Sequence, residues 1–107
     1  MIFITGPLYS GKRDYACALL GCAPEELEGR AVWDVQVLAA DCADLDALAD
    51  ELSAREVVIA TEVGGGVVPV APAQRAAREA AGRLRCLLAQ RAQRVVRVLC
   101  GLPLVLK

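Results

Sequence analysis

The stretch ITGPLYSGKRDYA, residues 4–16, decides how the rest of the chain is read. Gly6, Gly11 and Lys12 fit the spacing G-x-x-x-x-G-K. The apolar run Met1–Thr5 precedes them with the look of a buried strand, and a helical pattern follows. In such a strand–loop–helix unit, backbone N–H groups and the helix N-terminus cradle phosphate oxygens, and the lysine adds a point charge. A purely structural glycine turn is the other reading of the spacing. Its place in the first strand-to-helix turn of a short chain favours the phosphate-binding one. Arg13 stands where a hydroxyl would help to hold Mg²⁺. A guanidinium is not a metal ligand; it either contacts an α-phosphate or points to solvent. Ser10 is the nearby substitute hydroxyl.

Working outward, Tyr15, Leu19 and Leu20 share a helical face, and Gly21 can end that helix. Pro24 opens a loop or a single helical turn. The stretch AVWDVQVLA, residues 31–39, alternates, with Trp33, Val35 and Val37 on one side and Asp34 and Gln36 on the other. It predicts a half-buried strand toward a sheet edge. Leu45, Leu48 and Leu52 have helical spacing, with Asp41 or Asp44 as the N-cap. EVVIATE, residues 56–62, reads as a central parallel strand. A glycine-rich loop and an extended piece follow, and then a long helix begins with Pro72 near its first position. Ala73, Ala76 or Ala77, Ala80, Leu84 and Leu87 or Leu88 form its apolar stripe, and Gly82 reads as a close packing point. RVVRVLC and LVL supply two last strands across a turn at Gly101–Pro103. Strands alternating with helices predict an α/β fold of P-loop NTPase type. The expected form is one compact domain over residues 1–107, with a mostly parallel sheet of about five strands and helices on both faces.

The bulk numbers narrow the class. A chain of 107 residues can bury one real core, and 56% hydrophobic content, much of it alanine, points to close helix packing. No apolar run approaches the roughly 18 residues of a membrane span, and no leader is expected at Met1. Net charge is −1, so no global pull toward nucleic acid or membrane arises. Acids dominate from Asp14 to Glu62, and Glu79 is the only acid from Arg75 onward. That asymmetry reads as solvated helix faces, or as a basic face for an anionic ligand. The five cysteines form no C-x-x-C pair, and without histidine there is no Cys/His metal site. Reduced thiols of a cytoplasmic protein are expected, with a Cys17–Cys22 disulfide as the alternative.

Glu62 directly follows the predicted central strand. An acid there can hold a metal, orient its water, or take a proton from an attacking hydroxyl; a plain helix or loop cap is the competing role. Asp41 is a weaker candidate for the same work. The segment Val63–Gly66 reads as a loop over the site.

The carboxyl-terminal stretch TEVGGGVVPVAPAQRAAREAAGRLRCLLAQRAQRVVRVLCGLPLVLK, residues 61–107, resembles the end of the bifunctional adenosylcobinamide kinase / adenosylcobinamide-phosphate guanylyltransferases. The likeness lies in the loop from Glu62 to Pro69, in Arg78-Glu79 and Gly82-Arg83, in the turn Gly101-Leu102-Pro103-Leu104, and in Lys107. TGPLYSGKRDYA is similar to that family's phosphate loop, which reads T-G-G-x-x-S-G-K-S. The resemblance implies a nucleotide-binding fold of cobalamin biosynthesis that uses ATP or GTP with Mg²⁺. It implies phosphate binding by Gly6, Ser10, Gly11 and Lys12, with Arg13 beside them. Glu62 would sit at the site's edge, while Gly64 and Gly66 would let the loop approach the ligand or a neighbouring subunit. It also implies a homo-oligomer. The departures are Pro7 for a glycine, Arg13 for the hydroxyl, Arg85-Cys86 for an Asn-Gln pair, and a shorter middle. The family's guanylyl transfer runs through a histidine, and this chain has none. Two functions follow as expectations. One is kinase-type transfer of a γ-phosphoryl to a cobinamide hydroxyl, with Lys12 and Glu62 as the catalytic pair and Ser10 and Glu62 on the metal. The other is a non-catalytic relative that binds nucleotide or corrinoid, or serves as an oligomeric partner.

Overall fold

The computed structural model describes residues 1–63 and 71–107. Gly64, Gly66 and the extended piece expected before Pro72 therefore lie outside the described residues. The chain runs β1 (Ile2–Gly6), α1 (Lys12–Leu20), α2 (Pro24–Leu27), β2 (Ala31–Val32), a 3₁₀ turn (Val35–Leu38), α3 (Leu45–Leu52), β3 (Val57–Thr61), α4 (Pro72–Arg91), β4 (Arg94–Leu99) and β5 (Leu102–Val105). The strands form one sheet in the order β2-β3-β1-β4-β5. β1 lies parallel between β3 and β4, with Ile4 opposite Ile59 on one side and Val96 on the other. β2 is parallel to β3, and only β5 is antiparallel to its neighbour. This is the expected mostly parallel sheet. β-branched residues fill its centre because both faces are covered: every residue of β3 is buried.

The two faces carry separate cores. Ile4, Ile59, Val96 and Val98 point toward α1 and α2, where Ala16 and Leu27 meet them. Phe3, Val58, Ala60 and Val95 point the other way, onto Val35, α3 and α4. Successive strand residues alternate faces, so this division follows directly from the period of two. α1 ends at Gly21, whose φ of +65° lets the Cys22 N–H reach back to the Cys17 carbonyl. Asp44, not Asp41, caps α3 and accepts the Ala47 N–H.

Three expectations change. The alternating stretch 31–39 is strand only at Ala31–Val32. Asp34 adopts φ +56°, the left-handed region that aspartate tolerates better than most residues, and the chain turns into the 3₁₀ segment. Val35 therefore enters the α3–α4 core while Trp33 packs against the α1 side and Val37 is exposed. The apolar stripe of α4 begins later than its alanines suggest. Ala73 and Ala76 are exposed, and the helix buries Ala81, Leu84 and Leu88. Gly82 is not a packing contact among the described residues, because a Cβ there meets none of their atoms within 4 Å.

β4 turns into β5 through Cys100 and Gly101, at φ +53° and +74°, the left-handed pair that a tight two-residue hairpin requires. β5 is an edge strand whose Leu102, Leu104 and Val105 are exposed. Pro103 removes one N–H from that edge, a device that discourages strand-to-strand association.

Replacing Gly82 by Ala in this helix interior is expected to raise the unfolding free energy by about 0.5–1 kcal/mol, since backbone entropy is saved at no steric cost. Leu84→Ala, in the fully buried part of the same helix, is expected to lower it by about 2–5 kcal/mol. Chemical denaturation of the two variants beside the parent checks both.

Candidate phosphate-binding site

The loop between β1 and α1 lies hard against its neighbours. A Cβ on Gly6 would stand 2.3 Å from the Val98 carbonyl oxygen and 2.8 Å from Ser10 Oγ, so only glycine fits. Two backbone hydrogen bonds pin the loop from either side. The Glu62 N–H donates to the Gly6 carbonyl at 2.8 Å, and the Gly101 N–H donates to the Ser10 carbonyl, also at 2.8 Å. The first ties the loop to the end of β3 and the second to the β4–β5 turn. Gly11 then occupies the N-cap of α1 at φ +90°, and no side chain caps this helix end. Its first-turn N–H groups and positive dipole end face the loop's mouth.

Lys12 is buried inside this loop, only 8% exposed. Its Nζ donates to the Pro7 carbonyl at 2.6 Å and lies 3.5 Å from Ser10 Oγ. Burial pushes the ammonium below its ordinary pKa. The carboxylates of Asp34 and Glu62 pull it back up, and Arg13 adds to the lowering. A buried cation beside an uncapped helix N-terminus is an arrangement completed by an anion.

Beside the loop opens a cleft of about 350 Å³, bordered by Ser10, Lys12, Arg13, Trp33, Asp34 and Thr61 among others. The left-handed Asp34 brings its carboxylate here, where Oδ1 accepts from Thr61 Oγ1 at 3.4 Å. Gln36 Oε1 accepts the Thr61 N–H at 2.9 Å and so terminates β3. The Arg13 guanidinium sits 5.4 Å over the Trp33 ring. That distance suits a cation–π contact.

Glu62 stands at the end of β3, but its carboxylate is engaged. Arg97 Nε donates to Oε2 and Nη2 donates to Oε1, both at 2.8 Å. This fork holds the Glu62 carboxyl below the ordinary glutamate range, with Arg85 and Lys12 adding to the effect and burial opposing it. Among the described residues, Arg85 Nε and Thr5 Oγ1 are buried without a hydrogen-bond partner. Asp41 is exposed and borders no part of the cleft. The cysteines, Cys17 and Cys22 among them, are free thiols.

The sequence reading thus located the loop and missed Asp34, Trp33 and Arg97. Asp34 had one legible signal: aspartate is among the few residues that turn readily into the left-handed region.

A sequence model of the family described as cobinamide kinase / cobinamide phosphate guanyltransferase matches residues 18–106. The chain belongs to this family. Membership places it in cobalamin biosynthesis, among proteins that use nucleoside triphosphates. The match starts after the glycine loop, so the loop's role is argued from its geometry. No curated protein matches the chain. No described helix is long and apolar enough to cross a membrane.

The chemistry of the residues present suits a phosphate group: a close backbone approach at Gly6, an α1 N-terminus with glycine at its N-cap, and the buried Lys12 ammonium. For Mg²⁺ the fit is looser. Among the described residues no group of three or more acids and cysteines converges on one point. Mg²⁺ takes most of its ligands from phosphates and water, so one or two protein oxygens suffice. Ser10, Asp14, Asp34 and Thr61 are among the residues with side-chain oxygens that border the cleft.

Arg97→Met is expected to raise the Glu62 carboxyl pKa, since the fork that lowers it most is removed while burial still raises it, read by carboxyl-carbon NMR titration. In the parent, this depressed pKa contributes stability above the ordinary glutamate range. The contribution is lost as pH falls through the lowered folded value. The variant's stability is expected to fall less steeply across that window.

Proposed function

We propose that this family member binds a nucleoside triphosphate, ATP or GTP, in its glycine loop and transfers the γ-phosphoryl to a hydroxyl of cobinamide. The observation that carries the reading is Lys12, a buried cation at the mouth of a loop that only glycine can thread. In this reading Gly6, Ser10, Gly11 and Lys12 hold phosphate oxygens, and Lys12 offsets charge that grows on them in the transition state. The new bond joins the acceptor oxygen to phosphorus, the bond from phosphorus to the β-phosphate oxygen breaks, and the nucleoside diphosphate leaves. Asp34, which faces Lys12 across the cleft, takes the hydroxyl proton. Glu62, occupied by Arg97, shapes the field around Lys12 from the site's edge. Ser10 and Asp34 would hold Mg²⁺, which would supply further charge neutralisation. The exposed leucines of β5 support self-association of the chain.

A second reading is favoured by two specific observations: the Arg13 guanidinium stacks on Trp33, and Glu62 is closed off by Arg97. Under it the chain binds nucleotide without turnover. The histidine on which the family's guanylyl transfer depends is absent, so that half-reaction belongs to neither reading.

Calorimetric titration with ATP and GTP, with and without Mg²⁺, followed by a phosphoryl-transfer assay on cobinamide, separates the two. Kinase function predicts product, and Asp34→Asn is expected to lower its rate about 10²-fold or more at near-constant nucleotide affinity. Binding without product selects the second reading. Unchanged affinity in Lys12→Ala overturns the phosphate loop itself. Because burial lowers the Lys12 pKa, affinity in the parent is expected to fall with rising pH earlier than an ordinary lysine would allow.

A further inference from the structure

Trp33 is the single tryptophan of the chain, and it borders two clefts. One is the phosphate cleft. The other, of about 290 Å³, is lined by Cys17, Pro24 and Leu27, with Glu28 also bordering it. Arg13 and Asp14 border both, so the Trp33–Arg13 pair stands on the ridge between them. Both volumes are of the order expected for parts of a small-ligand site. Trp33 is here for a reason: the left-handed turn at Asp34 parts it from Val35, so its ring packs against the α1 side while Val35 goes to the opposite core.

An indole face beside a phosphate cradle matches a ligand that carries both a phosphate chain and a flat ring. The guanidinium on that face is exposed at the start of α1, and a cation–π contact at an exposed site is weak enough to exchange. We propose that Trp33 is the stacking platform for the nucleobase of the bound nucleotide. Arg13 leaves the ring on binding and turns its charge to the phosphates. The inference rests on the nucleotide reading above. It adds a base subsite between α1 and α2, with Trp33 as its binding residue and Arg13 as the group that exchanges.

The test uses Trp33 as its own reporter, excited at the red edge where nucleotides absorb little. The probes are adenosine and guanosine (ring only), tripolyphosphate (phosphate only), and ATP and GTP (both). ATP, GTP and the nucleosides are expected to quench Trp33 emission, while tripolyphosphate binds, by calorimetry, with little quenching. Trp33→Leu is expected to weaken ATP and GTP about tenfold or more, with tripolyphosphate affinity retained and Trp33→Phe restoring most of the loss. Retained tripolyphosphate binding also shows that the leucine variant is folded. The base subsite is overturned if tripolyphosphate and ATP lose affinity equally in Trp33→Leu, or if ATP binds the parent without touching Trp33 emission. Nucleoside quenching without any tripolyphosphate binding would keep the subsite and overturn the phosphate loop. An absence of all binding overturns both.

Discussion

The site depends on one close approach: the backbone of Gly6 against the Val98 carbonyl, where a single added carbon would stand 2.3 Å from oxygen. Parallel pairing of β1 with β4 brings those backbones together. Because the loop can lie so low, the Glu62 N–H and the Gly101 N–H reach its carbonyls from opposite sides. Hydrogen bonds from two different strand ends then hold one loop shape, and α1 starts from it with its N-terminus uncapped by any side chain. The buried ammonium of Lys12 is tolerable only in that setting, where carbonyl, hydroxyl and two carboxylates compensate the lost water.

Charge at the strand ends is arranged in pairs across the sheet. Arg97 on β4 closes over Glu62 at the end of β3, while Asp34 beyond β2 and Lys12 beyond β1 border the same cleft. The two carboxylates therefore have different chemistry despite similar positions at carboxyl ends of strands. One is fully engaged in a bidentate fork, which makes it a poor proton acceptor. Among the described residues, the other has only a long contact with Thr61. This contrast is what moves the proposed proton-acceptor role from Glu62 to Asp34.

Family membership and local structure constrain function at different levels. The matched region, residues 18–106, places the chain in cobalamin biosynthesis. What this chain does there turns on a few departures: arginine at position 13, no histidine, and a short middle. The Arg13 guanidinium lies over Trp33 at the edge of the cleft beside the loop. Pro7, in place of a glycine, still supplies the carbonyl that Lys12 binds.

The sequence by itself determined the order of elements, the position of β3 and the glycine loop, because these depend on short-range rules. A β-branched run such as residues 57–61 suits only a strand covered on both faces, and G-x-x-x-x-G-K between strand and helix has few alternative uses. It also located the boundaries at Gly21 and Pro72, where backbone chemistry is local. Tertiary structure alone decided the rest. Alternation in residues 31–39 looked like a strand, yet a strand needs a partner along its length, and β3 pairs only with Ala31 and Val32. Gly82 resembled a contact point until packing showed open space beside it. Arg97 is 35 residues from Glu62, and no local pattern announces that their side chains meet. The loop was legible because its pattern lies in consecutive residues between a strand and a helix. The cleft beside it is assembled from the loop itself, from Trp33–Asp34 and from Thr61, and only the folded sheet brings those three segments together.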